Sequence, residues 1–191
     1  AVQNLATDMV RNLSFELHKG EILGFSGLVG SGRSDAAFAL CSMVPIRHGK
    51  ITLDDKLVRF RNPRDAKKNG VSIVPEDRKN QGIVPNLDVH ENLHVGHNEL
   101  FSRSGMFNRQ LVWKSSRELV RRFGIKLSSL GQSITTLSGG NQQKVVLARG
   151  VEVNPAVLIL DEPTRGIDVG AKEEIHQIII ELAKSGTAII L

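Results

Sequence analysis

The 191-residue chain predicts an α/β fold with a largely parallel sheet. Three observations lead there. Strand-like runs alternate with segments of helical period. A glycine-rich loop, Ser26–Arg33, separates a strand from an alanine-rich helix. Val157–Leu160 is continuously apolar, as expected of a parallel strand buried on both faces.

Each element has its own signal. Leu13-Ser-Phe15-Glu-Leu17 alternates and reads as a strand with one buried face. His18–Gly20 turns the chain into a second strand, Glu21–Phe25. Past the glycine loop, Ser34–Met43 reads as a helix. Lys50–Leu53 and Leu57–Phe60 make a hairpin around Asp54-Asp55, and Val71–Val74 is a short strand. From Gly82 to Gly131 the pattern is mainly helical and polar, a lobe apart from the sheet. Gly140–Glu152 is a helix. Lys172–Lys184 is another, with Ile175, Ile178, Ile179 and Leu182 at helical spacing, and Thr187–Leu191 is a last strand.

Composition narrows the class. The chain is 40% hydrophobic and 24% charged, the balance of an ordinary globular domain. Its longest apolar runs, Ala156–Leu160 and Ala188–Leu191, fall far short of the ~20 residues that span a bilayer. The first residues lack the basic stretch and apolar core of a secretion signal. The single cysteine, Cys41, forms no internal disulfide and reads as a small buried hydrophobe. Net charge is +5, but the basic residues are scattered: Arg59, Arg61 and Arg64, then Lys67 and Lys68, then Arg121 and Arg122. With no tyrosine and only Trp113 among the tryptophans, base stacking has little support. These clusters read as solvated faces, and no nucleic-acid partner is expected.

Four stretches carry chemistry. Gly27-Leu-Val-Gly30-Ser31-Gly32-Arg33-Ser34 fits G-x-x-x-x-G-K-[ST] except at the lysine, and it lies between strand and helix as that phosphate loop requires. Its backbone N–H groups from Val29 to Ser34 would point at phosphates. Gly27, Gly30, Ser31, Gly32, Arg33, Ser34 and Asp35 form the candidate phosphate-binding set. Ser34 would ligate Mg²⁺ through its hydroxyl. Arg33 keeps the charge of the missing lysine but not its compact shape. Asp161 and Glu162 end the apolar strand. Two adjacent carboxylates there are costly to bury without a cation, so a metal site is the natural explanation. The run resembles a Walker B strand, which implies Asp161 as metal ligand and Glu162 as the group that polarises an attacking water. Leu137-Ser138-Gly139-Gly140 opens a helix that continues through Gln142, offering a hydroxyl and free N–H groups where anions are favoured. His90-Glu-Asn-Leu-His94 also matches H-E-x-x-H, a zinc-protease pattern; a protease also needs a third ligand and a substrate cleft, and His97, one turn further on, leaves adventitious metal binding as the alternative.

In this order, the motifs resemble the ABC ATPase family of P-loop NTPases over almost the whole chain. GLVGSGRSD, VPEDRKNQGIVP, LSGGNQQK and LILDEPTRGIDVGAK look like the C-terminal nucleotide-binding half of tandem bacterial ribose-, galactose- and xylose-type sugar importers. The resemblance implies a P-loop core with a mostly parallel sheet, an antiparallel β edge and a helical subdomain. Residues 1–75 would be core with the antiparallel portion, 76–140 the Q-loop and helical subdomain, and 141–191 the continued core, ending before the residue that senses the γ-phosphate. It implies ATP and Mg²⁺ as ligands. Glu162, Arg33 and Glu76 would be catalytic, with Ser34, Asp161 and Glu76 at the metal. Glu76 stands where the Q-loop glutamine is usual, and Arg33 and Glu76 together mark this second half. Leu137, Ser138, Gly139, Gly140 and Gln142 would grip ATP held by a second ABC domain, and Asp168 would be the D-loop residue near the opposite nucleotide. Partners would be that second domain (the N-terminal half of the same polypeptide or a second copy), transmembrane permease subunits and, indirectly, an extracytoplasmic sugar-binding protein. The place would be the cytoplasmic face of the bacterial inner membrane. Met9–Asn12, where an aromatic usually stacks on adenine, offer none. A non-catalytic nucleotide-dependent dimerisation or sensor module, and a soluble ABC protein acting on nucleic acid, are the alternatives.

Overall fold

A computed structural model describes residues 1–28, 30–103 and 106–191; for Asn98, Arg103, Met106 and Phe107 the description is of the backbone alone. The chain divides into two compact units, Ala1–Ile73 with Pro155–Asp161 and Glu181–Leu191, and Val74–Asn154 with Glu162–Ile180. In chain order come β1 (Val2–Ala6), β2 (Leu13–Phe15), β3 (Ile22–Leu23), α1 (Arg33–Leu40), β4 (His48–Leu53), β5 (Lys56–Val58), α2 (Pro63–Lys68) and β6 (Val71–Val74). Then follow α3 (Val89–His94), the hairpin β7 (Ser102–Arg103) and β8 (Met106–Phe107), α4 (Arg109–Arg122), α5 (Gly139–Val151), β9 (Val157–Leu160), α6 (Val169–Lys184) and β10 (Ala188–Ile190).

Two four-stranded sheets, β2-β1-β4-β5 and β3-β10-β9-β6, build the first unit. The second is the α/β core. Its central strand β10 pairs in parallel with β3 on one side and β9 on the other. Leu158, Ile159, Leu160 and Ile189 are all at most 1% exposed, so the unbroken apolar run is buried on both faces as expected. The antiparallel strands form a sheet of their own, with Val2, Leu5, Ala37, Leu40, Phe60 and Ile159 in the cluster of buried side chains. The β4–β5 hairpin turns at Asp54 and Asp55, both with left-handed backbone (φ 47° and 59°), as the Asp-Asp pair anticipates. Cys41 is buried in this core, where burial pushes its thiol up to about 12, so it packs as a hydrophobe.

Sequence patterning missed α2, a six-residue helix. Its signal is capping rather than periodicity: Asn62 accepts the Asp65 N–H at 2.9 Å and Pro63 occupies the first turn. The stretch from Gly82 to Gly131 is less helical than expected. It contains the β7–β8 hairpin and short irregular turns between α3 and α4. Polar composition alone did not separate these from helix.

In the second unit, Asp88 caps α3 through a reciprocal capping box with Glu91. Asn92 is fully buried, and its amide is a hub. It accepts the Val84 N–H at 2.8 Å and donates to the carbonyls of Val84, Leu87 and Asp88 at 2.9–3.2 Å. Asn92→Leu keeps the number and branching of side-chain heavy atoms but strands these groups. It should lower the unfolding free energy by about 2–4 kcal/mol, read as a fall in the urea midpoint at unchanged slope.

Candidate nucleotide-binding site

The candidate phosphate loop follows β3, one strand removed from β9 in the same parallel sheet. Phe25 remains tied to the sheet, its N–H donating to Leu191 O at 2.6 Å. Beyond Gly27 the chain closes a tight turn, the Ser31 N–H reaching Leu28 O at 3.0 Å. The N–H of Val29, expected to line the loop, lies outside the described residues. Gly30 and Gly32 both have left-handed backbone (φ 82° and 87°). Gly32 is also the N-cap of α1, and a Cβ on it would come within 3.0 Å of Val10 Cγ2 and 3.4 Å of Met9 O. Glycine is therefore required twice over, by conformation and by close approach. Arg33 and Ser34 open α1, so the first N–H groups of that helix lie at the end of the loop. Asp35 accepts a hydrogen bond from the Thr7 hydroxyl, and Thr7 Oγ1 in turn accepts the Val10 N–H at 3.0 Å. That turn holds Met9–Val10 against the loop's end.

Asp161 leaves the same carboxyl-side edge of the sheet at the end of β9. Its Oδ2 is buried and has no hydrogen-bond partner. A desolvated carboxylate oxygen without a donor is the arrangement that a divalent cation relieves. Asp161 and the Ser34 hydroxyl, both oxygen donors and both in the first unit, thus fit Mg²⁺. Glu162 has left-handed backbone (φ 42°), unusual for a non-glycine residue and a strain that functional sites often hold. Its carbonyl accepts the Arg165 N–H at 3.0 Å, closing the turn that follows.

The second unit holds Glu162, Glu76, the Leu137–Gly140 run with Gln142, and Asp168. Ser138 caps α5 and is exposed, accepting from Asn141 Nδ2 at 3.0 Å. Gly140 is buried, and a Cβ there would lie 2.5 Å from Ala171 Cβ, so α6 packs directly on its backbone. Leu137 is buried, 8% exposed. Gln142, equally buried, spends its amide inside the unit, donating to Ile134 O and Leu137 O at 3.2 Å each. The exposed face of this run is therefore Ser138 with the N–H end of α5. Asp168 accepts the Ala171 N–H at 2.8 Å and so caps α6. The Glu76 carboxylate forms an ion pair with Arg165.

The H-E-x-x-H match has a structural explanation. Glu91 serves the α3 cap. His90 Nδ1 and His94 Nε2 each lie 2.6 Å from Ser116 Oγ, and His94 Nδ1 and His97 Nδ1 lie 2.6 and 2.7 Å from the two oxygens of Glu152. Among the described residues no group of His, Cys, Asp or Glu is disposed to hold a metal. The network ties α3 and α4 to the end of α5.

A glycine-rich loop and a buried strand-end carboxylate on one edge of a parallel sheet are the layout of an α/β P-loop fold. The family model described as ABC transporter matches residues 10–165, and the chain belongs to that family. It is 41% identical to ribose import ATP-binding protein RbsA 2 of Rhizobium meliloti over 191 residues, all of this chain and 37% of that protein. It is 43% identical to ribose import ATP-binding protein RbsA of Shouchella clausii over 192 residues, covering 38% of the relative. The chain thus spans less than two fifths of the length of these relatives. Among solved structures, a dimeric post-hydrolysis state of the ATP-binding cassette MJ0796 bound to ADP and Pi matches with a TM-score of 0.83 at 20% identity. The match covers 99% of this chain and 85% of that one, and shows the fold. No helix of the described residues is long and apolar enough to cross a membrane.

The histidine network has a pH signature. Burial, then the neighbouring His94 charge, holds His90 below the ordinary imidazole range. Burial pushes Glu152 up, but hydrogen bonds from His94, His97 and Ser115 outweigh it, and the net shift is downward. Both groups bind more protons unfolded than folded within their windows, so each contributes stability that is lost as pH falls. For His90 the loss begins at the ordinary histidine range and continues to its depressed folded value. His90→Gln should therefore reduce the fall in urea midpoint between about pH 7 and pH 5.5, leaving the Glu152 loss at lower pH. Equal falls in the two proteins would contradict it.

Proposed function

We propose that this chain is an ATP-binding and ATP-hydrolysing domain that powers carbohydrate import through a membrane permease, as the degenerate half of a tandem pair. The observation that carries this reading is the shared sheet edge: β3 delivers the phosphate loop and β9 delivers Asp161, whose buried oxygen has no partner. In open α/β sheets that edge is where ligands bind. The names of the relatives, ribose import ATP-binding proteins, support sugar import, and the share of their length that the chain covers suits one half of a tandem.

The residues divide the work. Loop N–H groups of Gly30–Ser34 and the first turn of α1 bind the phosphates, with Arg33 adding charge. Ser34 and Asp161 would hold Mg²⁺, which would supply charge neutralisation at the phosphates. Glu162 accepts the proton of a water that attacks the γ-phosphorus, as the bond to the ADP oxygen breaks and phosphate leaves. Glu76 stands where the family's Q-loop glutamine is usual, and its carboxylate is paired with Arg165. Ser138–Gly140 and Asp168 face nucleotide held by the second ABC domain. Arg33 and Glu76 make this chain's own P-loop the slow site, while its Ser138–Gly140 surface supports turnover at the partner's.

The test uses the full polypeptide assembled with its permease. Ser138→Ala should cut sugar-stimulated ATPase at least about tenfold, as loss of a transition-state donor does, while Arg33→Ala should cost less than about twofold. Equal losses would sink the asymmetry.

A further inference from the structure

Arg78 has no part in the roles assigned above, yet its side chain meets two of the loops they use. It opens a π-turn, Arg78–Gly82. Asp77 holds that turn, accepting the N–H groups of Lys79 and Asn80 at 3.1 Å each and Asn80 Nδ2 at 2.6 Å. The Asn80 hydrogen bonds hold the Asp77 carboxyl below its usual range, so the turn's anchor stays ionised. From this base the guanidinium forks. Nη1 donates to Arg165 O and Nη2 to Gly166 O, both at 3.1 Å, and Nε approaches Gln142 Oε1 at 3.4 Å.

Gly139 lies against the same group. A Cβ at Gly139 would fall 2.7 Å from Arg78 Nη2. One planar side chain therefore touches the first turn of α5 and, 87 and 88 residues along the chain, two successive carbonyls of the Arg165–Asp168 loop. Arg165 returns the connection through its ion pair with Glu76. Segment 76–78 and loop 165–166 thus hold each other in both directions.

We propose that Arg78 is a positioning residue, clasping the Ser138–Gly140 run and the Gly166–Asp168 loop into one surface. The proposal rests on the function above, in which that surface closes on nucleotide bound to the second ABC domain. A fork meets two carbonyls and an amide at once; a lysine ammonium is a single point charge and cannot reproduce the plane. Arg78 touches no substrate in this scheme, so its loss acts on alignment and hence on turnover.

Two measurements on the full polypeptide with its permease test this. In steady-state ATPase, Arg78→Ala should lower kcat at least about tenfold, with KM for ATP changed less than about twofold, because misplacement of a binding surface is paid in turnover. Arg78→Lys should recover little of the loss. A kcat within about twofold of wild type in Arg78→Ala, full rescue by lysine, or a raised KM at unchanged kcat would each overturn the positioning role. Amide hydrogen exchange then reads the clasp without activity. Arg78→Ala should speed exchange at least about tenfold in both 139–142 and 166–168, leaving 157–160 unchanged. Faster exchange in one segment alone, or in neither, would overturn the clasp. Absence of sugar-stimulated ATPase in the wild-type assembly would sink the proposed function instead, with the exchange result still deciding the clasp.

Discussion

Parallel pairing of β10 with β3 and β9 is the constraint on which the candidate site depends. It brings the carboxyl ends of two strands, more than 130 residues apart in the chain, to one edge with a single strand between them. The candidate phosphate loop follows one of those ends and Asp161 the other. Apolar burial supplies the rigidity, since Leu158, Leu160 and Ile189 have almost no contact with solvent. An unpaired carboxylate oxygen is expensive in such surroundings, and cooperative strand packing is what holds it there. That cost is what makes Asp161 a candidate cation ligand.

The second unit is organised differently. Its fixed points include buried polar side chains that bond across its elements. Asn92 satisfies the backbone around the start of α3, and Gln142 satisfies the end of the loop before α5. Buried Lys144 reaches Gly124 O at 2.9 Å and Glu174 at 2.5 Å, fastening α5 to α6. His94, His97, Ser115 and Glu152 close the opposite end of α5. Buried polar networks of this kind specify one arrangement of helices where an apolar interface would tolerate several. The exposed Ser138 therefore stands on a helix anchored at both ends. The glycines beside it have separate reasons: Gly140 admits the Ala171 side chain of α6, and Gly139 admits Arg78.

Local signals were legible wherever one interaction dominates. The strand β9, the Asp54-Asp55 hairpin, α1, α5 and α6 follow from periodicity, apolar runs and turn chemistry. What escaped depended on partners distant in sequence or on capping. α2 is too short for a periodic face, and its Asn-Pro start was the available sign. The H-E-x-x-H pattern reads as metal-binding on a bare helix, but the side chains that occupy its histidines, Ser116 and Glu152, come from α4 and the end of α5. Arg78 stood within a quoted motif with no visible role, because most of its acceptors are backbone carbonyls, which every residue possesses and no sequence pattern marks.

The sequence by itself determined the family, the order of the motifs and the chemical type of each candidate group. Those properties reside in residue identity and local spacing: glycines that permit left-handed turns, an apolar run long enough for a buried strand, carboxylates at its end. Only the tertiary structure decided which of these groups are spent internally and which are left open. Gln142 is consumed by its own unit, Glu76 is paired with Arg165, and Asp161 retains an oxygen without a donor. Hydrogen-bond satisfaction is a property of neighbours in space, and those neighbours are set by packing, beyond the reach of any window of sequence.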